Sequence, residues 1–295
     1  MTHKIAFIGF GEAGSLLAKG LIEAGAQLPA CYDILIDDPA SAQALSDKAA
    51  RLDVVTAATA KEAVAEADIV ISAVTTSNTL EAAQNVAPHL AQGQVYLDIN
   101  STSPEIKREA AQAIEASGAD FVEAAVMDLV PPHGHKVPML LAGKCAKQAT
   151  DALATYGMNV TALGNKIGDA SSVKMVRSVF MKGFTAILLE SLVSAKKLNA
   201  EDAVLSSLQV TFPEMDWQGL ANYYLPRLIQ HARRQSGEMK SVAQTLEEIG
   251  IEPITATATG KRLAWLADKE LDKADGDLPE GYNALLDLIV KGEGQ

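Results

Sequence analysis

The chain has 295 residues, of which 48% are apolar and 21% charged, enough for one large domain or two ordinary ones. The net charge of -12 argues against a nucleic acid or an anionic membrane surface as partner. Two distant cysteines, Cys31 and Cys145, indicate neither a disulfide scaffold nor a metal site. We find no signal peptide and no run of about 20 apolar residues, so we expect a cytoplasmic protein that does not span a membrane.

The first part of the chain alternates short apolar runs with helical stretches rich in Ala, Glu, Lys and Gln. Such alternation predicts a mainly parallel sheet with helices on both faces. A first helix is expected over Ala13–Ala24. The predicted strands are Ile5–Gly9, Ala30–Ile34, Val54–Thr56, Ile69–Val74, Val95–Ile99, Phe121–Val126, Met139–Ala142 and Val160–Leu163.

From Ala170 onward the pattern is helical throughout. The stretch Ser171–Lys197 has no proline, a single internal glycine and apolar residues at helical spacing, which predicts one long helix. Further helices are expected over 200–209, 216–235, 238–249, 254–271 and 279–291. The sequence therefore predicts an α/β domain over residues 1–165 and an all-helical domain over residues 166–295.

A glycine-rich turn follows the first predicted strand. The segment Gly9-Phe10-Gly11-Glu12-Ala13-Gly14 matches G-x-G-x-x-G, in which the first glycine permits the tight turn, the second lets the backbone approach a pyrophosphate, and the third allows close helix packing. Free N–H groups at the start of the next helix favour phosphate. A glycine turn without a ligand is the alternative. The predicted strand before this segment and the predicted helix after it favour a Rossmann-type dinucleotide site. The residues of that site are Gly9, Phe10, Gly11, Glu12, Ala13 and Gly14.

Asp33 ends the second predicted strand, 19 residues after Gly14. A carboxylate at this position accepts hydrogen bonds from both ribose hydroxyls and repels a 2′-phosphate, and residues 34–38 contain no Lys or Arg. We therefore expect NAD, with NADP as the alternative cofactor. Asp33 could also be a solvated acid, or Asp37 could replace it. Val74 and Thr75, after the fourth strand, either line the same site or form a simple polar turn.

Two further motifs complete a family pattern: Asp98-Ile99-Asn100-Ser101-Thr102-Ser103-Pro104 and Gly168-Asp169-Ala170-Ser171-Ser172-Val173-Lys174. With the glycine turn, they resemble the β-hydroxyacid dehydrogenase superfamily, which includes 3-hydroxyisobutyrate and 6-phosphogluconate dehydrogenases. The resemblance covers residues 1 to about 198 well, and the remainder resembles a less characterised branch. It implies hydride transfer between a nicotinamide cofactor and a small 3-hydroxy acid, a carboxylate, or the matching aldehyde or keto acid. It also implies a homodimer formed through the C-terminal domain.

The resemblance assigns roles to individual residues. Lys174 matches the catalytic lysine, which serves as general acid and base when partial desolvation lowers its pKa toward the working pH. The alternative for Lys174 is a solvated surface lysine. Ser101 matches the serine that binds the substrate carboxylate, and Thr102 is expected beside it, with Asn100 on the cofactor side. Alternatively, these polar residues only cap the helix that Ser103 begins.

This sequence departs from the family pattern at the substrate end. Ser178 stands where the family usually has asparagine, and Lys182 follows one helical turn later, so both share a face with Lys174 and are expected to bind substrate. The usual glycine-rich signature after the sixth strand is missing, and residues 127–134 differ from it. The identity of the substrate therefore does not carry over from the family, nor does the family settle whether oxidation is followed by decarboxylation.

Two other functions are compatible with the sequence. Imine reductases share the fold but generally replace the lysine, so Lys174 counts against that activity. A dinucleotide-binding sensor without catalysis is the second alternative, because Ser178 departs from the pattern. No metal is expected, since His133 and His135 lack a third ligand. Further residues could belong either to a substrate cleft or to core and solvated faces: Trp217, Tyr223, Tyr224, His231, Arg233 and Arg234.

Overall fold

The computed structural model describes residues 2–273 and 277–291. The chain divides into two compact units, Met1–Lys174 and Met175–Gln295. The division falls inside a long helix, somewhat beyond the boundary predicted after residue 165. The first unit is an α/β structure and the second is helical, as the sequence predicts.

One eight-stranded sheet forms the centre of the first unit. Its order is β3-β2-β1-β4-β5-β6-β7-β8, and every neighbouring pair is parallel except β6 and β7, where Glu123 lies opposite Ala142. The mainly parallel sheet predicted from the sequence is therefore confirmed. The strands are β1 Ile5–Ile8, β2 Ala30–Tyr32, β3 Val55–Thr56, β4 Ile69–Ser72, β5 Val95–Asp98, β6 Asp120–Val126, β7 Met139–Ala142 and β8 Val160–Gly164.

Helices connect these strands and cover both faces of the sheet. Phe7 on β1 packs with Leu17 and Leu21 in one core cluster, whereas Ala6 belongs to a second cluster that contains Ile114. Burial on both faces explains the almost uninterrupted apolar strands. The helices of this unit are α1 Glu12–Glu23, α2 Pro39–Ala50, α3 Ala60–Val64, α4 Thr79–Val86, α5 Pro104–Glu115, α6 Val130–His133 and α7 Ala146–Ala154.

The second strand is shorter than predicted. We expected a strand over Ala30–Ile34, but β2 ends at Tyr32 and a 3-10 turn occupies Ile34–Asp37. The Asp33 carboxylate accepts a hydrogen bond from the Leu35 amide and so caps this turn. Aspartate commonly bonds its own backbone two residues on, and that local bond competes with strand pairing.

The second unit is formed by helices, and its described residues contain no strand. The long helix α8, Asp169–Lys197, begins in the first unit and confirms the helix predicted over Ser171–Lys197. The core of the second unit contains fully buried leucines from several helices, among them Leu189, Leu225 and Leu263. The other helices are α9 Glu201–Thr211, α10 Trp217–Glu248, α11 Ile254–Ala267 and α12 Tyr282–Lys291.

Two predicted helices are in fact one. The sequence predicts a break between 216–235 and 238–249, but α10 runs without interruption through Ser236 and Gly237. A glycine inside a helix costs only about 1 kcal/mol relative to alanine, and packing outweighs that amount. Ser236 takes part in the contact between α10 and α11, because its hydroxyl donates a hydrogen bond to the Gly260 carbonyl of α11 at 3.0 Å. The helix predicted over 254–271 is too long, since α11 ends at Ala267 and a 3-10 turn covers Leu271–Lys273.

Helix α8 is also long and apolar enough to cross a membrane by length and composition. One 18-residue window of this helix has a mean hydropathy of 1.4, and no other helix among residues 2–273 and 277–291 passes the same test. In the structure 44% of that window is buried inside the protein. Core helices of water-soluble folds pass this test too, so α8 is weak evidence for a membrane span.

Candidate active site

The glycine turn between β1 and α1 has no room for larger side chains at two of its three glycines. Gly9 has a φ of +88°, and a β-carbon there would lie 2.4 Å from the Ala73 carbonyl oxygen. A β-carbon on Gly14 would lie 2.5 Å from the Gly9 carbonyl oxygen. Gly11 differs, because no heavy atom lies within 4 Å of its would-be β-carbon. The first and third glycines therefore build the turn, and the second faces open space.

That open space belongs to a cavity of about 660 Å³. At the N-cap of α1, Gly11 provides no side-chain acceptor for the first N–H groups of the helix, which leaves them available to phosphate. The volume lies within the usual range for small-molecule sites. The glycine cradle and the uncapped helix start fit a dinucleotide. Of the residues predicted to bind it, seven line the cavity: Gly9, Gly11, Glu12, Ala13, Asp33, Val74 and Thr75.

Phe10 and Gly14 support the turn and do not line the cavity. The Phe10 ring is fully buried and packs edge-on against Phe7, with the ring centroids 6.1 Å apart. Its amide N–H donates to Asp33 Oδ2 at 2.7 Å, which ties the turn to the end of β2. Sequence reasoning missed Lys48, whose Nζ donates to the Phe10 carbonyl oxygen at 3.4 Å.

The Asp33 carboxylate is held in place by backbone groups. Oδ2 accepts from the Phe10 amide, and Oδ1 accepts from the Leu35 amide at 3.1 Å. Each oxygen keeps a further lone pair that can accept from a hydroxyl. Among the described residues that line the cavity, Glu12, Asp33 and Glu81 are carboxylates and none is Lys or Arg. The described lining of the cavity is therefore acidic.

Asn100 joins two strand ends beneath the cavity wall. Its side chain is only 5% exposed; Oδ1 accepts from the Val74 amide at 2.7 Å, and Nδ2 donates to Ser72 Oγ at 3.0 Å. Sequence reasoning placed Asn100 among the cofactor-binding residues, and in the structure both polar atoms of its side chain contact the protein. Ser101 follows in the connector between β5 and α5, residues 99–103, where its carbonyl oxygen accepts from Thr76 Oγ1 at 2.9 Å. Thr102 is buried beside it.

The start of α8 is fixed to the sheet by Glu123. This fully buried side chain on β6 accepts hydrogen bonds at Oε1 from the amides of Gly168, at 2.7 Å, and Ala170, at 3.0 Å. Ala170 also packs against Ala125 and Ala142 of the sheet. Sequence analysis did not single out Glu123. An acid within the apolar run Phe121–Val126 was the available signal, because a buried carboxylate requires donors.

The residue just before α8, Gly168, packs against the first turns of α5. Gly168 has a φ of +102°, and a β-carbon there would lie 3.4 Å from Pro104 Cβ and 2.9 Å from Arg108 Nη1. Pro104 begins α5, three residues after Ser101. Lys174, half-buried, lies one helical turn after Ala170 on α8. The first unit therefore holds the residue before α8, six residues before Lys174, against the start of α5, three residues after Ser101.

Ser178 and Lys182 lie further along α8, in the second unit. Lys182 Nζ is 3.1 Å from Glu238 Oε2 and donates to Ser178 Oγ at 3.3 Å. Arg234, one turn before Glu238 on α10, pairs with the same carboxylate. Burial alone would raise the pKa of Glu238, but the charges of Lys182 and Arg234 hold it below its ordinary value. This cluster of Ser178, Lys182, Arg234 and Glu238 contains two cations and one anion.

The histidines of the 127–136 segment contact the protein. His133 Nε2 lies 3.3 Å from Asp128 Oδ2, and His135 Nε2 lies 3.1 Å from the Tyr156 carbonyl oxygen. His135 also packs on α1, where a β-carbon at Gly20 would lie 2.0 Å from its Nδ1. Within residues 2–273 and 277–291, no three His, Cys, Asp or Glu side chains come together as metal ligands.

The aromatic and basic residues noted on α10 are divided between core and surface. Trp217 is buried in the core of the second unit, and the partly buried Tyr224 packs against that core. Tyr223 is exposed, with the guanidinium of Arg227 stacked 3.7 Å from its ring centroid. Arg233 Nη2 donates to the Ala267 carbonyl oxygen at 3.0 Å. These contacts stabilise the helical unit.

Comparison with known proteins agrees with this geometry. Residues 4–130 match the model described as the NAD binding domain of 6-phosphogluconate dehydrogenase, and residues 195–266 match a domain of unknown function, DUF1932. A conserved hypothetical protein of Sinorhizobium meliloti is 39% identical, with 99% of this chain and 97% of that one covered and a TM-score of 0.82. MTH1747, a conserved protein of unknown function with structural similarity to 3-hydroxyacid dehydrogenases, is 33% identical, with 92% and 99% covered and a TM-score of 0.73.

More distant structures share the fold. The 3-hydroxyisobutyrate dehydrogenase of Mycobacterium tuberculosis, solved with L-serine, is 18% identical, with 97% of this chain and 99% of that one covered and a TM-score of 0.75. An imine reductase of Myxococcus stipitatus, solved with NADP+, is 19% identical over the same shares, with a TM-score of 0.59. The chain belongs to the family that joins an NAD-binding domain of the 6-phosphogluconate dehydrogenase type to a DUF1932 domain, within the 3-hydroxyacid dehydrogenase-like fold.

Proposed function

We propose that this protein is an NAD-dependent oxidoreductase that transfers a hydride between its cofactor and a small 3-hydroxy acid, or the matching aldehyde or keto acid. The observation that carries the proposal is the anchored start of α8. Glu123 ties it to the sheet that forms the dinucleotide cavity, and Gly168 packs against Pro104, next to the connector with Ser101. This chemistry requires a group that takes the proton, a group that binds the substrate and a cavity for the cofactor. Lys174, Ser101 and the cavity are proposed to provide them.

The proposed roles follow from the side chains. Oxidation moves a hydride from the hydroxyl-bearing carbon to the cofactor, and the hydroxyl proton must leave at the same time. Neutral Lys174 accepts that proton at Nζ, and protonated Lys174 returns it in the reverse reaction. Ser101 and Thr102 donate hydrogen bonds to the substrate carboxylate. The bound dinucleotide supplies the ring carbon that gives or accepts the hydride.

Substrate binding further along α8 also belongs to the proposal. Ser178 and Lys182 follow Lys174 at intervals of one turn. The two cations around Glu238 exceed its single negative charge, so the cluster favours an anion. Lys182 already donates to Ser178 Oγ, which leaves the Ser178 hydroxyl proton free to bond a carboxylate or hydroxyl of the substrate.

The proposed preference for NAD rests on charge. Asp33 and the other acids among the cavity-lining residues would lie close to a 2′-phosphate, and no Lys or Arg belongs to that lining. NADP is the alternative, since the imine reductase of Myxococcus stipitatus was solved with it. Steady-state assays with both cofactors test this, and a clear preference for NADPH would overturn the assignment.

The activity is tested with a panel of 3-hydroxy acids, by following the absorbance of the reduced nicotinamide. We expect turnover of at least one panel member, and a loss in Lys174→Ala of about 10²–10⁴-fold in kcat. Lys147→Ala is the matched control, because that exposed lysine pairs with Asp151 on the surface and should behave as wild type. Full activity in Lys174→Ala would remove the acid/base role.

Other outcomes distinguish the alternative functions. Tight cofactor binding without turnover of any hydroxy acid would favour a sensor. Reduction of cyclic imines, with no activity on hydroxy acids, would identify an imine reductase. In both cases the cofactor site would stand and the substrate assignment would fall.

A homodimer and a cytoplasmic location complete the proposal. Helix α8 exposes Val176, Phe180 and Ile187 along one face, and Phe180 is 72% exposed. Contiguous exposed apolar side chains are typical of contact surfaces. Light scattering after size exclusion tests the dimer, and we expect Phe180→Glu to be monomeric while Leu198→Glu, beyond the end of α8, stays dimeric.

The net charge of -12 supports a small-molecule substrate rather than a nucleic acid or a membrane as partner.

A further inference from the structure

A lysine lies in the core of the first unit, where an apolar residue would be expected. Lys107 occupies the buried stripe of α5, together with Pro104, Ala110, Ala111 and Ile114, and is only 1% exposed. Lysine is almost never fully buried unless it is paired. Its Nζ lies 3.0 Å from Asp98 Oδ1 and donates to the Asp98 carbonyl oxygen at 2.9 Å. Stability alone does not explain the pair, because apolar residues of similar volume often serve a core equally well.

The same carboxylate also holds Asn100 of the connector. Asp98 ends β5, and its Oδ1 also accepts a hydrogen bond from the Asn100 amide at 2.8 Å. Asn100 Oδ1 in turn accepts from the Val74 amide, and its Nδ2 donates to Ser72 Oγ. A buried chain of contacts therefore runs from the ammonium of Lys107 through Asp98 and Asn100 to the end of β4.

Both ends of the proposed site depend on this chain of contacts. Val74 and Thr75 are part of the cavity wall, and Val74 is the residue that Asn100 holds. Ser101 comes directly after Asn100, and its backbone is held on the other side by Thr76. A rotation of the Asp98 carboxylate would release the Asn100 amide and, with it, the orientation of the Asn100 side chain.

We infer that Lys107 is a positioning residue for this site. Its ammonium fixes the Asp98 carboxylate, which orients Asn100, and Asn100 sets the Val74–Thr75 wall and the position of Ser101. The effect on Ser101 rests on the proposed function. The effect on the cavity wall needs only a bound dinucleotide, so it is tested by the binding of NADH and not by turnover.

The main test replaces both partners together. Lys107→Met alone would leave Asp98 buried without its cation, which is strongly destabilising. The double variant Asp98→Asn/Lys107→Met removes both charges with little change in shape. We expect it to fold and to bind NADH at least roughly tenfold more weakly, since a displacement of a fraction of an ångström is enough for such a loss. Calorimetric Kd values and thermal unfolding curves would be measured on the same samples.

Gln94→Met is the matched control. Gln94 lies next to the other end of β5, where Nε2 donates to the carbonyl oxygens of Val64 and Ala67 and Oε1 accepts from the Ala91 amide. This variant also removes polar contacts at strand β5, but away from the cavity. It is expected to lower the unfolding temperature and leave the Kd for NADH unchanged. A folded double variant with the wild-type Kd would show that Lys107 is merely structural.

A third variant tests the order of the contacts. It also keeps the inference testable if the double variant does not fold. Asn100→Ala leaves the Lys107–Asp98 pair intact and removes the contact with Val74, so it should weaken NADH binding by a similar factor. Adding it to the double variant should have no further effect, because both changes interrupt one chain of contacts. Independent effects that add, or a wild-type Kd in Asn100→Ala, would overturn the inference. Protein that binds NADH but oxidises no hydroxy acid would defeat the proposed function alone.

Discussion

The glycine turn and the cluster of Ser178, Lys182, Arg234 and Glu238, called the α8 cluster below, bind their ligands, as proposed, with different kinds of groups. At the turn the contacts come from backbone atoms of Gly9–Gly14 and from the uncapped start of α1. In the cluster they come from the long side chains of Lys182 and Arg234, which Glu238 holds by ion pairs. Backbone groups are positioned by the fold itself, whereas side chains are positioned by whatever neighbours are present.

This difference explains why one ligand is easier to assign than the other. A cofactor that is recognised by backbone geometry requires glycines at fixed spacing, and this spacing can be found in the sequence without knowledge of the rest of the molecule. A substrate that is recognised by side chains can change when one of them is replaced, and Ser178 stands at such a position, where the family resemblance implies asparagine. Variants of the two regions separate the two kinds of positioning, and the largest effect is expected at the turn.

The strongest contrast lies within the turn itself. Gly9→Ala would force a β-carbon against the Ala73 carbonyl oxygen in a backbone conformation that alanine rarely adopts. We expect a loss of stability of about 1–3 kcal/mol and a loss of NADH binding of about 100-fold or more. Gly11→Ala should keep the wild-type unfolding temperature, because nothing lies within 4 Å of the added methyl group, and it should still weaken NADH binding. Thermal unfolding and calorimetry measure both effects.

The outcome for Gly11→Ala is the sharper of the two. If it binds NADH as wild type does, the phosphates do not approach the backbone at this glycine. Recognition by backbone groups would then have to lie elsewhere in the cavity, and the contrast with the α8 cluster would weaken.

The second prediction concerns the anchor of α8, where one side chain fixes backbone groups. Glu123→Ala removes an acceptor from two buried amides, those of Gly168 and Ala170, and should lower stability by about 2–3 kcal/mol. That corresponds to a fall in unfolding temperature of about 4–12 °C. Glu123→Gln keeps one acceptor oxygen and should lose less than half as much. Equal unfolding temperatures for wild type and Glu123→Ala would show that Ala170 and its apolar packing hold the helix without the carboxylate.

Much of the fold could be predicted from the sequence, because strand and helix periodicities reflect burial on local elements. The parallel sheet, the glycine turn, the Ser103 cap and α8 all follow from patterns within short windows. One of the misses has a local cause, and the other has a tertiary cause. Asp33 caps a turn and shortens β2, and the packing of Ser236 on α11 carries α10 through a predicted break.

The candidate site could be predicted only in part. Seven of the expected cofactor residues line the cavity, but the carboxamide of Asn100 contacts the protein, and Lys107 and Glu123 were missed. Both buried charges interrupt apolar patterns, so a signal existed. Their partners are backbone groups and an acid from other elements, and pairings between distant parts of the chain cannot be derived from periodicity.

The smallest expected effect concerns the α8 cluster. The pKa of Glu238 lies below its ordinary value of 4.5 in the folded protein, so the carboxylate adds stability that is fully present above that value and is lost as the pH falls through the lowered pKa. Glu238→Gln should therefore cost on the order of 1 kcal/mol at pH 7 and nothing at a pH below the lowered pKa. Glu190→Gln is the control, because its pair with Arg262 is more exposed and should contribute less. Urea unfolding at a series of pH values measures the difference. A difference between wild type and Glu238→Gln that does not vary with pH would mean that packing and not charge holds Lys182 in place, and the contrast with the backbone-built turn would lose its electrostatic basis.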